Sequence, residues 1–331
     1  MAESIGGRAL GIAAGVAAVG GAAVGLQRAL VERAKHKPDP EAARDLVLRY
    51  DDAFDVPAHD GATLRVVTRG EGPTIVFSHG VTLSNKVWVN EFEALPAMGF
   101  RVVAYDHRGH GDSTCGDSHH SLENLALDAK HVLEAIDACE AVFVGHSMGG
   151  VAAQMLALEH PDVVRDRLAG IVLLSTIGRT PMARLPGGGE LLNNLVSRGP
   201  GLGAFMRQPT LGYSLARIGF GKNAPARHVE LVRRMIAECP ADTSHEATAA
   251  LFGLDIIERL DHIDVPVLVI GGTADVITPV PEARRLAEAI PGARLIEVAS
   301  AGHMLMFECT ELLLDLLVEF AREVGLKPQA A

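Results

Sequence analysis

Cysteine is scarce in this chain: four in 331 residues (Cys115, Cys139, Cys239, Cys309), with no two in C-x-x-C spacing. That excludes a dense disulfide framework and a cysteine-built zinc knot, and reduced thiols in a cytoplasmic setting are the plain reading. Positive charge is also in deficit. Thirty Lys and Arg stand against 41 Asp and Glu, a formal charge of −11, which argues against a nucleic-acid backbone as partner. Of the 14 histidines, His107/His110 and His119/His120 are the close groupings, and neither has neighbours spaced as in a metal motif. No metal and no cofactor are therefore expected. Internal repeats are lacking, and low complexity is confined to one Ala/Gly stretch. What the chain does have is apolar content, 48%, enough to bury the core of one large α/β domain.

The Ala/Gly stretch is residues 9–26, which hold seven Ala, five Gly, six Leu, Ile or Val and no charge. As a helix it would be about 27 Å long, slightly short of a ~30 Å hydrocarbon core, and its hydrophobicity is marginal. Gly11-x-x-x-Gly15 and Gly21-x-x-x-Gly25 have the spacing that lets membrane helices approach closely. In water those glycines would cost a lone helix about 1 kcal/mol each relative to Ala. Arg28, Arg33, Lys35 and Lys37 oppose only Glu32 on the C-terminal flank, which places the body of the chain in the cytoplasm by the positive-inside rule. Residues 1–37 carry a formal +3, leaving −14 for the remainder. The expectation is membrane association through residues 9–26 with a cytoplasmic body. A cleaved signal, weakened by Glu3 and the lack of an A-x-A site, would make the protein exported. A soluble cytoplasmic tail is the third reading.

Lys37-Pro38-Asp39-Pro40 breaks any helix and marks the start of the body. Strands are expected near 53–58, 64–68, 74–78, 101–105 and 169–174, and a helical period runs from Leu122 to Asp137. Alternating strand and helix signals imply an α/β fold with a mainly parallel sheet covered on both faces.

The most informative stretch is Gly145-His146-Ser147-Met148-Gly149. An apolar strand run, Ala141 to Val144, precedes it, and a helical run, Val151 to Leu158, follows. A serine at such a strand-to-helix turn is forced into a sparsely populated backbone conformation that exposes its hydroxyl. The residues two before and two after come close, so both must be glycine. A serine needs a base, and the base needs an orienting acid. Asp275 follows the strand run 266–270, and His303 follows the strand run 293–298. Both sit just past strand carboxyl ends, where an open parallel sheet gathers its site.

With His79-Gly80 and the stretch Asp106-His107-Arg108-Gly109-His110-Gly111, these motifs resemble those of the α/β-hydrolase superfamily, in its lidded esterase, lipase and haloperoxidase-like branch. The resemblance covers about Phe54 to Phe320. It implies an α/β-hydrolase core over 41–177 and 261–326, interrupted by a helical lid over 178–260. It also implies Ser147 as nucleophile, His303 as base, Asp275 as orienting acid, and the backbone N–H groups of Val81 and Met148 as oxyanion donors. His79, His146, Asp106 and Arg108 are expected to brace loops. Gly111-Asp112-Ser113 matches a GDS-lipase block only superficially and lacks the aliphatic residue that follows there.

The expected activity is hydrolysis of a carboxylic ester, apolar or lipid-like, through an acyl-enzyme. Thioester, amide and carbon–carbon hydrolysis and peracid formation use the same triad and stay open, as does a ligand-sensing protein that retains it. Serine at the elbow excludes the alkyl-ester chemistry of the aspartate-bearing epoxide hydrolases and haloalkane dehalogenases. In the lid, Pro186-Gly187-Gly188-Gly189 and Pro200-Gly201 punctuate helical stretches such as Arg227–Glu238. Its apolar residues Phe205, Met206, Phe252 and Leu254 either pack on one another or face substrate.

Overall fold

Eight strands form one sheet: β1 (Asp52–Pro57), β2 (Thr63–Arg69), β3 (Thr74–Ser78), β4 (Arg101–Tyr105), β5 (Ala141–His146), β6 (Leu168–Leu174), β7 (Val267–Gly272) and β8 (Arg294–Val298), in the spatial order β1-β2-β4-β3-β5-β6-β7-β8. This computed structural model describes residues 27–29, 31–36, 45–180, 201–222 and 224–329. The uncharged run 9–26, the Pro38 break and the Pro186–Gly189 punctuation lie outside the described residues. β2 is antiparallel to both of its neighbours, and every pairing from β4 to β8 is parallel. The expected mainly parallel sheet is thus present.

Strands β3, β5 and β7 are buried along their whole length. Their unbroken apolar runs follow from having helices on both faces. Alternate residues feed two separate cores. Ile75, Phe77, Val142, Val144, Leu268 and Ile270 point to one face. Val76, Phe143, Val267 and Val269 point to the other. The first core is closed by α1 (Val89–Ala94), α10 (Leu305–Glu308) and α11 (Thr310–Glu323). The second is closed by α2 (Leu122–Ala135), α3 (Met148–Glu159), α4 (Pro161–Arg167) and α9 (Val280–Ala289). Burying side chains such as Phe77 or Phe143 contributes about 1.5–3 kcal/mol each.

Ser121 caps α2, its Oγ accepting from the Asn124 N–H at 3.1 Å. Boundaries differ from the sequence reading by one to three residues. The elbow helix begins at Met148 instead of Val151, because Gly149 and Gly150 are tolerated in a first turn packed against the sheet. β7 begins at Val267, not Pro266, because proline has no N–H to give to the ladder.

Between β6 and β7 the described residues form a helical insertion: α5 (Gly201–Met206), α6 (Pro209–Ala216), α7 (Ala226–Glu238) and α8 (Ala241–Phe252). Its two ends are tied together at the sheet. Ile256 N–H donates to Gly178 O at 2.9 Å, Thr180 N–H to Leu254 O at 2.9 Å, and the Arg179 Nε to Asp255 Oδ1 at 2.6 Å. Within it, Met206 and Leu254 are buried, whereas Phe205 is exposed. Met206 belongs to the first core and also lines the cavity beside Ser147, and Leu254 belongs to the second core, so of the two alternatives Met206 shows the substrate-facing one and these residues do not form one cluster.

A second fastening lies under the loop 106–113. Arg108, fully buried, donates from Nε and Nη2 to the two carboxylate oxygens of Asp128, each at 2.7 Å, and from Nη1 to Asp60 Oδ2 at 2.8 Å. Asp106 accepts from Asn85 N–H at 2.6 Å and from Asp112 N–H at 3.0 Å. Both residues order the loop, as expected from the sequence. All four cysteines are unpaired.

Candidate active site

Ser147 sits between β5 and α3 with φ 53° and ψ −116°, the strained turn expected of a nucleophile elbow. The packing around it leaves no room for Cβ atoms. A side chain on Gly145 would collide with the Gly149 carbonyl, and one on Gly149 with the Ser78 carbonyl. The turn is held by Ser147 N–H donating to Leu174 O at 3.0 Å and by the Thr176 hydroxyl donating to Ser147 O at 2.7 Å.

Asp275 and His303 lie on the loops after β7 and β8 and meet there. Asp275 Oδ2 is 2.9 Å from His303 Nδ1. The other carboxylate oxygen accepts from Ile277 N–H at 2.8 Å and Thr278 N–H at 2.9 Å. Burial opposes ionisation of Asp275, but attraction to His303 and these hydrogen bonds outweigh it, and the pKa is lowered. The carboxylate is thus poised to hold the Nδ1–H tautomer of His303.

Thr278 was not singled out from sequence. Its hydroxyl donates to Asp275 Oδ2 at 2.7 Å and lies 3.2 Å from His303 Nδ1. The signal was present in Asp275-x-x-Thr278, where an aspartate can cap its own turn.

The His303 loop is also fastened to the insertion. His303 N–H donates to Gly219 O at 2.8 Å. Glu308 accepts from Gly221 N–H at 2.6 Å through one oxygen and from Gly302 N–H at 3.0 Å through the other. Glu308 joins partners far apart in sequence, so no local pattern marks it. From the elbow, His146 Nε2 is 3.0 Å from His303 O, and the two rings are 4.7 Å apart. Burial holds His146 neutral, its pKa lowered to about 3. It braces the loop, as expected.

His79 does the same for the neighbouring turn. It accepts from His107 N–H at 3.1 Å through Nε2, which leaves the proton on Nδ1 to donate to Gly80 O at 2.8 Å. Beyond that turn is Val81. Among the described residues, no hydrogen bond takes up the N–H of Val81 or of Met148. An unpaired N–H at the start of α3 is reinforced by the helix dipole.

Ser147 and His303 face one cavity of about 400 Å³. The insertion contributes Leu202, Met206, Leu215, Ile218, Val232 and Ile236 to its walls, and the turn after β3 contributes Gly80 to Leu83. No charged side chain lines it among the described residues. The Ser147 hydroxyl makes no hydrogen bond to His303, and both residues line the same cavity. Such bonds are often loose before substrate binds.

Comparison with known proteins bears on the family and the fold. The model of the Alpha/beta hydrolase family matches residues 75–316. The RutD protein of Agrobacterium fabrum, whose name proposes carbamate hydrolysis, is 31% identical over 265 residues, 76% of this chain and 94% of that protein. The enol-lactonase from Burkholderia xenovorans LB400 superposes with a TM-score of 0.69 at 26% identity, covering 81% of this chain and 100% of that one. The esterase EaEST from Exiguobacterium antarcticum has the same fold, with a TM-score of 0.71 at 22% identity over 82% of this chain and all of its own.

Proposed function

The chain belongs to the α/β-hydrolase family, and on that premise we propose that it is a serine esterase acting on an uncharged, apolar acyl ester. Ser147 attacks the acyl carbonyl while His303 Nε2 takes its proton, and Asp275 holds the imidazole and stabilises its cation. The tetrahedral oxyanion is received by the N–H groups of Val81 and Met148, each such donor being worth about 10²–10³ in turnover. Collapse expels the alcohol with the proton from His303, leaving an acyl-enzyme. Water then repeats the sequence with His303 again as base.

The observation that carries the reading is a serine on a strained elbow sharing one apolar cavity with His303, whose Nδ1 is paired to Asp275. Carbamate, lactone and ester cleavage, named for the relatives, all begin with attack on an acyl carbonyl. The choice of an apolar ester rests on the cavity wall, where among the described residues no Asp, Glu, Lys or Arg side chain is present to pair with a charged substrate.

A p-nitrophenyl ester series tests this. kcat/KM is expected to rise from acetate to medium-chain esters and then fall as the chain outgrows the cavity. Met206→Trp, which narrows the cavity from α5, is expected to cost at least about ten-fold on the longest accepted ester while sparing acetate. A preference for anionic or cationic acyl groups would contradict the proposal.

We further propose that the protein is held at a membrane by residues 9–26 with the body in the cytoplasm. Among the described residues no helix is long and apolar enough to cross a membrane, so the reading rests on the uncharged run and the basic flank that follows it. The full chain is expected to sediment with membranes and to resist extraction by high salt. Recovery of the intact chain in the soluble fraction would contradict the anchor, and an N-terminus near residue 24 would mark an exported form.

A further inference from the structure

Exposed apolar side chains are concentrated on and beside the elements that wall the cavity. Among the described residues, ten large hydrophobic side chains are exposed, and six of them (Leu202, Phe205, Leu211, Ile218, Val276, Ile277) lie on α5, on α6, just after α6, or beside Asp275. Val276 is 64% exposed and Ile218 55%. Leu202, Ile218 and Ile277 also line the cavity. A Cβ placed on Gly219 would be 3.7 Å from Ile277 Cδ1, so the insertion and the Asp275 loop form one continuous rim. An apolar patch of this kind around a pocket mouth marks a contact surface.

Charge narrows the partner. Residues 201–222 contain Arg207, Arg217 and Lys222 and no Asp or Glu, in a chain whose net charge is −11. The helical residues 27–29 and 31–35 pack on the same insertion. Gln27 Nε2 donates to Ser214 Oγ at 3.1 Å, Lys35 Nζ lies 5.5 Å from the centre of the Tyr213 ring, and Val31 is buried in the core that includes Tyr213. That segment adds Arg28, Arg33 and Lys35 against Glu32. The uncharged run ends at Leu26, the residue immediately before Gln27. Gln27, the first described residue after that run, is thus fastened to α6, the helix that contributes Leu215 and Ala216 to the cavity wall.

We propose that this face docks on an anionic lipid bilayer, with Phe205, Leu211, Ile218, Val276 and Ile277 entering the headgroup boundary and the basic residues around them meeting anionic headgroups. The proposal rests on the anchor and acyl-cavity readings above and adds an orientation to them. The cavity opens toward the acyl chains, so an apolar ester passes from bilayer to Ser147 without crossing water.

Hydrogen–deuterium exchange on the full chain tests the orientation, comparing phosphatidylglycerol–phosphatidylcholine vesicles with buffer. Exchange over residues 201–218 and 276–277 is expected to slow about ten-fold on vesicles, with no change around Met98, which precedes β4 at the opposite end of the strands. Phe205→Asp with Leu211→Asp removes two rim residues that do not line the cavity. That variant is expected to keep floating with vesicles and to hydrolyse p-nitrophenyl acetate at the unaltered rate, but to lose the protection. Arg207→Gln with Lys222→Gln, a milder pair, is expected to reduce the protection on anionic vesicles. A chain that floats while 201–218 exchanges as in buffer, or with protection centred on Met98, would overturn the docking face and leave the anchor standing. A chain that does not float overturns both. Failure to hydrolyse p-nitrophenyl acetate in the unaltered protein would contradict the esterase reading alone, since the exchange result does not depend on turnover.

Discussion

Ser147→Ala and His303→Ala are each expected to lower kcat by about 10⁴–10⁶, and Asp275→Asn by about 10⁴. The two classes differ for a physical reason. Without Ser147 there is no nucleophile, and without His303 there is nothing to take its proton, so either change removes the covalent route. Asp275→Asn would keep the loop geometry but present an amide where a carboxylate now faces His303 Nδ1 at 2.9 Å, favouring the wrong tautomer. Because the three act as a unit, the double change Ser147→Ala with Asp275→Asn is expected to cost no more than Ser147→Ala alone. Steady-state kinetics on a p-nitrophenyl ester measures this. More than a tenth of wild-type turnover in Ser147→Ala would contradict the assignment.

Mild acid is expected to destabilise the fold sharply. His79, His107, His110 and His146 are buried and held neutral, chiefly by the cost of burying their charged forms. His79 and His107 lie well below the ordinary value of 6.5, His110 is lowered to about 4 and His146 to about 3. In the unfolded chain each takes a proton as pH falls through about 6.5, whereas the native chain does not until the lowered value is reached. The unfolded state therefore binds more protons between those limits, and stability is lost as pH falls.

Each site carries at most about 1.4 kcal/mol per pH unit, so four set a ceiling of roughly 5.6 kcal/mol per unit. Asp106 works in the opposite direction. Burial raises its pKa to about 6, so its native form takes up a proton first and regains some stability below that pH. One such group offsets only part of four. Thermal unfolding followed from pH 7.5 to pH 5 is expected to show Tm falling steadily below about 6.5, and His110→Gln is expected to flatten the slope. A Tm that holds constant to pH 5 would contradict the neutral buried histidines.

The fold was legible where the local pattern and the tertiary environment agreed. Runs such as Thr74–Ser78 and Arg101–Tyr105 have no alternation because both faces are covered, and their bounds match the strands. The elbow was legible because its steric demand is local: Gly145 and Gly149 must lack side chains for Ser147 to turn. Asp275 and His303 were found through their positions after strands, and the sheet order brings them together.

What was hidden depends on contacts between distant segments. Glu308 reaches Gly221, and its role follows only from the packing of α10 under the insertion. Phe205 and Met206 are adjacent apolar residues of one short helix, one exposed and one lining the cavity. Helical rotation separates them, but the sequence alone does not say which side meets the sheet. The antiparallel pairing of β2 with β4 was hidden too, because the two strands are not consecutive in sequence and no turn joins them.

Nucleophilic activation of Ser147 is the central point, and a fluorophosphonate probe tests it most directly. The probe phosphonylates a serine only where a base and an oxyanion site have activated it. Incubation of the folded protein followed by peptide mass analysis is expected to place a single phosphonyl adduct on Ser147, and His303→Ala is expected to abolish it. Labelling of another serine, or none on folded wild-type protein, would contradict a serine-hydrolase site at this elbow.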